Sequence, residues 1–274
     1  MHPSETLPAP ACAAAPAEIA RATGVVAAIP ARWGSTRLPG KPLRLLAGRP
    51  LIEHVYRRAA AAPGLDGVVV LTDDERIAAA VEGFGGRCQL TPAECASGTD
   101  RIAWAARGWR AAAVVNLQGD EPLIDPEVIG RLARHLAERP GDPIVTCAAP
   151  VGEEEFADPH AVKVVVGAGG QALYFSRAAI PYPRRRPGET PAEGRGAAAA
   201  RPLQHLGIYG YQRRALLALA ALAPTPLETA EALEQLRALE HGIPIRVLVV
   251  ERAAPGVDTA EDLARVEALM AGEE

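Results

Sequence analysis

Apolar residues in this chain gather into short runs separated by polar, Gly- and Pro-bearing segments. Val25 to Ile29 is a continuous apolar run closed by Pro30, the pattern of a strand buried on both faces. A Gly- and Arg-rich loop follows from Ala31 to Gly40, and Pro50 opens a helix with apolar residues at Leu51, Ile52, Val55, Tyr56 and Ala59. The alternation continues. Val68 to Leu71 reads as a strand, and Thr72-Asp73-Asp74-Glu75 has capping-box spacing before the next helix. Ala112 to Leu117 is a further strand with Gln118-Gly119-Asp120 at its carboxyl end, Asp125 and Pro126 start another helix, and Ile144 to Ala148 is again a strand. Strands alternating with helices predict an α/β fold with a mostly parallel central sheet covered by helices on both faces.

The pattern changes after about residue 150. Residues 161–166 and 171–175 flank Gly167-Ala168-Gly169-Gly170 and read as an antiparallel hairpin. Residues 183–202, rich in Arg, Pro, Gly and Ala, read as a loop. A strand is expected over 206–211, helices near 213–222 and 228–240, a strand over 243–250, and a last helix capped by Thr259. Residues 1–22 are Pro/Ala-rich without a clear period and read as a disordered extension. The expected organisation is a single domain over 23–270, with 150–210 as a smaller inserted lobe.

Composition narrows the function classes. Hydrophobic residues make up 49% of the 274 positions and aromatics only 4%, so the core is aliphatic. A net charge of −4 gives no nucleic-acid surface. No apolar run approaches a membrane span of ~20 residues, and the N-terminus lacks a signal-peptide pattern, so a cytoplasmic protein is expected. The cysteines, Cys12, Cys88, Cys95 and Cys147, have no CxxC spacing. Lysine occurs only as Lys41 and Lys163 in an otherwise arginine-based set of cations.

The segment IPARWGSTRLPGKPL, Ile29 to Leu43, joins the first strand to the first helix, where open α/β sheets bind ligands. Arg32, Arg37 and Lys41 place three cations in ten residues, and Gly34 and Gly40 allow close backbone approach. That suits a polyphosphate, although it is neither a Walker loop nor a Rossmann fingerprint. Three cations alone would also describe a solvated basic turn.

The whole string resembles the signature of the CMP-Kdo synthetase family, which activates the sugar acid 3-deoxy-manno-octulosonate (Kdo). Seven further blocks resemble that family in its own order: SGTDR from Ser97, NLQGDEP from Asn116, AVK from Ala161, YFSR from Tyr174, HLGIYGY from His205, EQLR from Glu234 and GVDT from Gly256. The resemblance covers about residues 24–270. Three features depart from the family's usual pattern: Gln204 before the histidine, Asp100 before Arg101, and the Arg/Ala-rich 183–202 loop.

The resemblance implies transfer of CMP from CTP to Kdo, with release of pyrophosphate. Asp120 and Asp258 each follow a predicted strand end, and the family assigns both to Mg2+, which takes one or two carboxylates plus substrate phosphates. Glu121 is a local rival, ranked lower because Pro122 follows it. Pro30, Ala31, Arg32, Arg37 and Lys41 are the expected triphosphate loop, with Lys41 on the α-phosphate. Ser97, Arg101 and Gln118 are expected near cytosine, whose polar edge a glutamine amide can match. Arg177, His205, Tyr209, Tyr211, Glu231, Glu234 and Gln235 are expected around the sugar acid, Glu231 and Glu234 sharing one helix face at i, i+3. A homodimer pairing through the inserted lobe is implied. The alternatives are another 2-keto sugar acid as acceptor, such as sialic acid or an amino-Kdo, or a non-catalytic nucleotide-binding regulator; intact Lys41, Asp120 and Asp258 argue against the regulator.

Overall fold

The computed structural model describes residues 15–34, 38–182 and 202–272. In chain order the elements are α1 (Ala17–Arg21), β1 (Val25–Ala31), β2 (Leu45–Leu46), β3 (Arg49–Pro50), α2 (Leu51–Ala61), β4 (Gly67–Thr72), α3 (Glu75–Gly83), β5 (Cys88–Leu90), α4 (Gly98–Ala106), β6 (Ala113–Asn116), α5 (Pro126–Glu138) and β7 (Ile144–Pro150). They continue with α6 (Glu153–Ala157), β8 (Lys163–Val166), β9 (Ala172–Ser176), β10 (Leu203–Gln212), α7 (Arg213–Ala220), α8 (Pro226–Glu231), α9 (Gln235–Glu240), β11 (Ile245–Val249) and α10 (Ala260–Gly272). A 3-10 turn, Lys41–Leu43, precedes β2.

The main sheet runs β11-β7-β10-β6-β1-β4-β5. Strands β1, β4, β5 and β6 are mutually parallel, β11 is parallel to β7, and β10 runs antiparallel to both β6 and β7. The hairpin β8–β9 joins this sheet through β8 against β10. The segment expected as an inserted lobe is thus continuous with the central sheet by backbone hydrogen bonds.

Strand alternation distributes the core between two faces. Val25, Ala27 and Ile29 of β1 and Val68 and Val70 of β4 face α2 and α5 through Ile52, Val55, Ile129 and Leu132. Val26 and Ala28, with Val69 and Leu71, face the other way, against Ile102 of α4, Leu216 of α7 and Leu236 of α9. A third cluster of Leu38, Leu46, Leu51, Val257 and Val266 docks α10 beside the Gly-rich loop. This small cluster fixes the backbone on either side of the candidate site. No helix among the described residues is long and apolar enough to cross a membrane.

Three sequence expectations need correction. The extension predicted for 1–22 ends earlier: Ala17–Arg21 form α1, and Ile19 is fully buried beneath the sheet, a helix too short to show a period. Residues 1–14 lie outside the described residues. The cap before α3 is Asp74, whose side chain accepts from Arg76 N, while the Thr72 hydroxyl accepts from Asp74 N at 3.2 Å. The helix expected over 228–240 is two helices, α8 and α9, broken at Ala232, which adopts a left-handed conformation with φ 51°.

Phe175 is fully buried and meets the His205 ring edge-on at 5.0 Å. Phe175→Ala is expected to cost about 3–5 kcal/mol, measurable by urea unfolding.

Candidate active site

Three segments remote in sequence meet at the carboxyl ends of β1 and β6. Gly40 adopts a left-handed backbone, φ 68°, which turns the chain into the Lys41–Leu43 helical turn. A Cβ on Gly40 would fall 2.9 Å from the Trp33 ring, and Arg76 lies 3.5 Å over that ring's centroid, so the space is closed. Gly40→Ala combines a clash with left-handed strain and is expected to lose about 1–3 kcal/mol of stability, read from thermal or urea unfolding.

The Lys41 ammonium donates to Asp120 Oδ2 at 2.6 Å, to Asp258 Oδ1 at 3.0 Å and to the Val257 carbonyl oxygen at 3.1 Å. The backbone closes the same triangle, since Val257 N donates to Asp120 O at 2.9 Å. Asp262 then accepts from the backbone N–H groups of Asp258 and Thr259, at 3.1 and 3.0 Å, and the Thr259 hydroxyl caps α10. Burial acts to lower the Lys41 pKa, but the charges and hydrogen bonds of Asp120 and Asp258 outweigh it and hold the pKa above its usual value. Lys41 is therefore charged.

A cavity of about 530 Å³ opens here, lined by Pro30, Ala31, Arg32, Lys41, Gln118, Asp120 and Asp258 among others. Seven residues expected from the sequence thus share one cavity. Arg32 is exposed at its mouth. Arg37 lies outside the described residues.

Two carboxylates and a carbonyl oxygen converging on one cation are hard oxygen donors of the kind Mg2+ takes. Lys41 Nζ serves as a stand-in for that cation, and the donor set fits the metal. Among the described residues no group of three or more His, Cys, Asp and Glu could hold a metal, so phosphate and water oxygens would have to complete its shell.

Other expected residues are engaged differently. Ser97 is the N-cap of α4 in a capping box with Asp100. Arg101 is buried, hydrogen-bonded to the Thr91 hydroxyl and 3.3 Å from Asp73. Gly98, between them, lies close to Pro30 of the cavity lining: a Cβ on it would fall 3.1 Å from the Pro30 ring. The Arg177 guanidinium donates to Glu231 O at 2.8 Å, Pro159 O at 3.1 Å and Ala232 O at 3.4 Å, closing the end of α8. The Glu231 carboxylate accepts from Ser176 Oγ at 2.6 Å and Arg177 N at 2.9 Å. The break at Ala232 sends Glu231 and Glu234 to different places, so the shared helix face does not exist.

Glu234 instead accepts from Thr99 Oγ1 at 3.2 Å, and burial raises its pKa. Its second oxygen and the Gln235 amide nitrogen are buried without a hydrogen-bond partner. On β10, His205 lies 5.1 Å from Tyr209, which stacks on Tyr211 at 5.8 Å between centroids. Loss of hydration pushes His205 down to about 3, so the ring is neutral at pH 7. The single Thr146 hydroxyl proton goes to the Ile208 carbonyl at 2.7 Å, so His205 Nε2, 3.0 Å away, is the donor to Thr146 Oγ1. Nδ1 of His205 is then an acceptor.

Several polar groups have surroundings that the sequence does not show. Thr146, a polar residue within the apolar strand β7, spans the irregular pairing between Leu206 and Tyr209 of β10 and sets the His205 tautomer. At the same irregularity Gln118 Nε2 donates to Gly207 O at 3.3 Å. Asn116 Oδ1 at the end of β6 is buried and unpartnered. Glu121 is pushed up to about 8, first by loss of hydration and then by the Asp120 charge. Of these, Gln118 and Glu121 were already candidates from the sequence, whereas Thr146 and Asn116 were not.

Known proteins resemble this chain over most of its length. The family model described as Cytidylyltransferase matches residues 26–247. A 3-deoxy-manno-octulosonate cytidylyltransferase of Myxococcus xanthus is 52% identical over 246 residues, 89% of this chain and 96% of the relative. One from Anaeromyxobacter dehalogenans is 51% identical over 249 residues, 90% of this chain and 98% of its own. The solved structure of a CMP:2-keto-3-deoxy-manno-octonic acid synthetase complexed with CTP superimposes with a TM-score of 0.84 at 44% identity, covering 92% of this chain and 100% of that one. On this likeness, which spans most of its length, the chain belongs to the cytidylyltransferases, and among them to the CMP-Kdo synthetase family.

Proposed function

We propose that this chain transfers CMP from CTP to the anomeric hydroxyl of 3-deoxy-D-manno-octulosonate, giving CMP-Kdo and pyrophosphate for lipopolysaccharide assembly in the cytoplasm. The observation that carries the reading is the meeting of Lys41, Asp120 and Asp258 in one cavity beside Arg32 and Gln118. The anomeric oxygen attacks the α-phosphorus in line, loses its proton, and the bond from phosphorus to the bridging pyrophosphate oxygen breaks. There is little covalent work for the protein, so positioning and charge stabilisation do most of it.

Lys41 neutralises charge that grows on the α-phosphate oxygens. Arg32, exposed at the cavity mouth, faces the β- and γ-phosphates, and the Gln118 amide reads cytosine. Asp120 and Asp258 would hold Mg2+, which supplies charge neutralisation at the phosphates when bound. Glu234, Gln235, Asn116 and neutral His205 offer unpaired acceptors and donors to a polyhydroxylated acceptor. Arg177 shapes that side by fixing the end of α8.

The chain works in this reading as a homodimer through the 150–210 segment, where Leu173 and Tyr182 are 58% and 85% exposed. A panel of sugar acids assayed for magnesium-dependent pyrophosphate release tests the acceptor. Kdo should exceed sialic acid by at least about a hundredfold in kcat/KM, the scale set by leaving several buried polar groups unpaired. Comparable rates with sialic acid would refute the assignment.

A further inference from the structure

Lys41 occupies the point between Asp120 and Asp258 that a metal would take. Its three contacts, at 2.6, 3.0 and 3.1 Å, use all three N–H donors of the ammonium. Magnesium sits about 2.0–2.1 Å from its ligands, so a cation bound by the same two carboxylates and an ammonium between them exclude each other by space and by charge. The Lys41 backbone has little freedom to withdraw. Gly40 beside it is wedged against Trp33, and Leu38, Leu46 and Val257 pack together around the turn. What can move is the side chain alone.

A second observation points the same way. Among the described residues the protein offers no third carboxylate, histidine or cysteine to complete a metal cluster. A cation arriving alone would displace Lys41 and gain only two carboxylates. A cation arriving on a triphosphate brings its own oxygen ligands, and the triphosphate gives the displaced ammonium a new anionic partner.

We infer that Lys41 is a resident counter-ion that closes the Asp120–Asp258 pair to free divalent cations until the nucleotide arrives. The triphosphate draws the ammonium away, and the carboxylates then accept the cation with the nucleotide. Metal and CTP therefore bind together, and the same lysine moves from guarding the carboxylates to bracing the α-phosphate. The inference rests on the assignment of these two aspartates to the metal.

The test is a titration of the full-length protein with Mn2+ without nucleotide, followed by electron paramagnetic resonance of the free ion. Wild type, Lys41→Met, Lys41→Gln and the double variant Lys41→Met/Asp258→Asn are compared, each checked for folding by circular dichroism. Either single Lys41 variant should bind one Mn2+ at least about tenfold more tightly than wild type, the factor that corresponds to ~1.4 kcal/mol. The double variant should lose that gain, and CTP should restore tight Mn2+ binding to wild type. Equal Mn2+ affinity in wild type and whichever Lys41 variant folds would overturn the inference while leaving the metal assignment standing. Tight CTP-dependent Mn2+ binding by Asp120→Asn and Asp258→Asn would overturn both.

Discussion

Asp120→Asn and Asp258→Asn should each lower kcat by at least about a thousandfold, equivalent to ~4 kcal/mol of barrier, with the fold retained. Each substitution keeps the shape of the side chain and removes one of the two anionic oxygen donors that converge on Lys41. Neither residue belongs to the core: the Asp258 side chain is 48% exposed and Asp120 30%. The loop carrying them is held independently, by Val257 N on Asp120 O and by Asp262 on the Asp258 and Thr259 amides. Removing one carboxylate therefore breaks the site without unfolding its supports. Steady-state assays with saturating Mg2+ and thermal unfolding on the same samples separate the two effects. Activity within tenfold of wild type in either variant would remove that aspartate from the metal site.

Lys41→Ala should lower kcat about a hundredfold with a smaller rise in KM for CTP. A single preorganised charge aimed at developing phosphoryl charge is worth this order of magnitude, and it acts more strongly in the transition state than on bound CTP. In the resting protein Lys41 is held by carboxylates, so its interaction with ground-state nucleotide is offset by the contacts it gives up. A variant with unchanged kcat and a raised KM would make Lys41 a binding residue only. An arginine at this position is a poor replacement, because a planar fork cannot take the compact three-way contact that the ammonium makes.

Much of the fold was legible because apolar runs and their terminators report burial directly. Val25 to Ile29 and Val68 to Leu71 had to be buried on both faces, and the structure divides them between two helical layers by simple alternation. Asp125 and Pro126 start α5 as their cap chemistry requires. The meeting of the loop after β1 with the turn after β6 was legible for the same reason, because the two are adjacent once those strands pair in parallel.

The acceptor side was less legible. A run of helix-forming residues over 228–240 does not announce the left-handed Ala232 that separates Glu231 from Glu234. Nor does sequence say where a guanidinium goes. Arg177 looked like a carboxylate-binding cation and is spent on three backbone carbonyls. Arg101, expected at cytosine, is enclosed by Thr91 and Asp73. Long side chains choose partners through tertiary contacts that periodicity does not encode.

The proposed reaction joins CMP to the anomeric oxygen of Kdo at the Lys41–Asp120–Asp258 centre. Phosphorus NMR of the purified protein with CTP, Kdo and Mg2+ tests it most directly. One phosphodiester resonance and pyrophosphate should grow in equimolar amounts, dependent on Kdo and absent in Asp120→Asn. Hydrolysis of CTP without a phosphodiester, or an undiminished signal from Asp120→Asn, would contradict it.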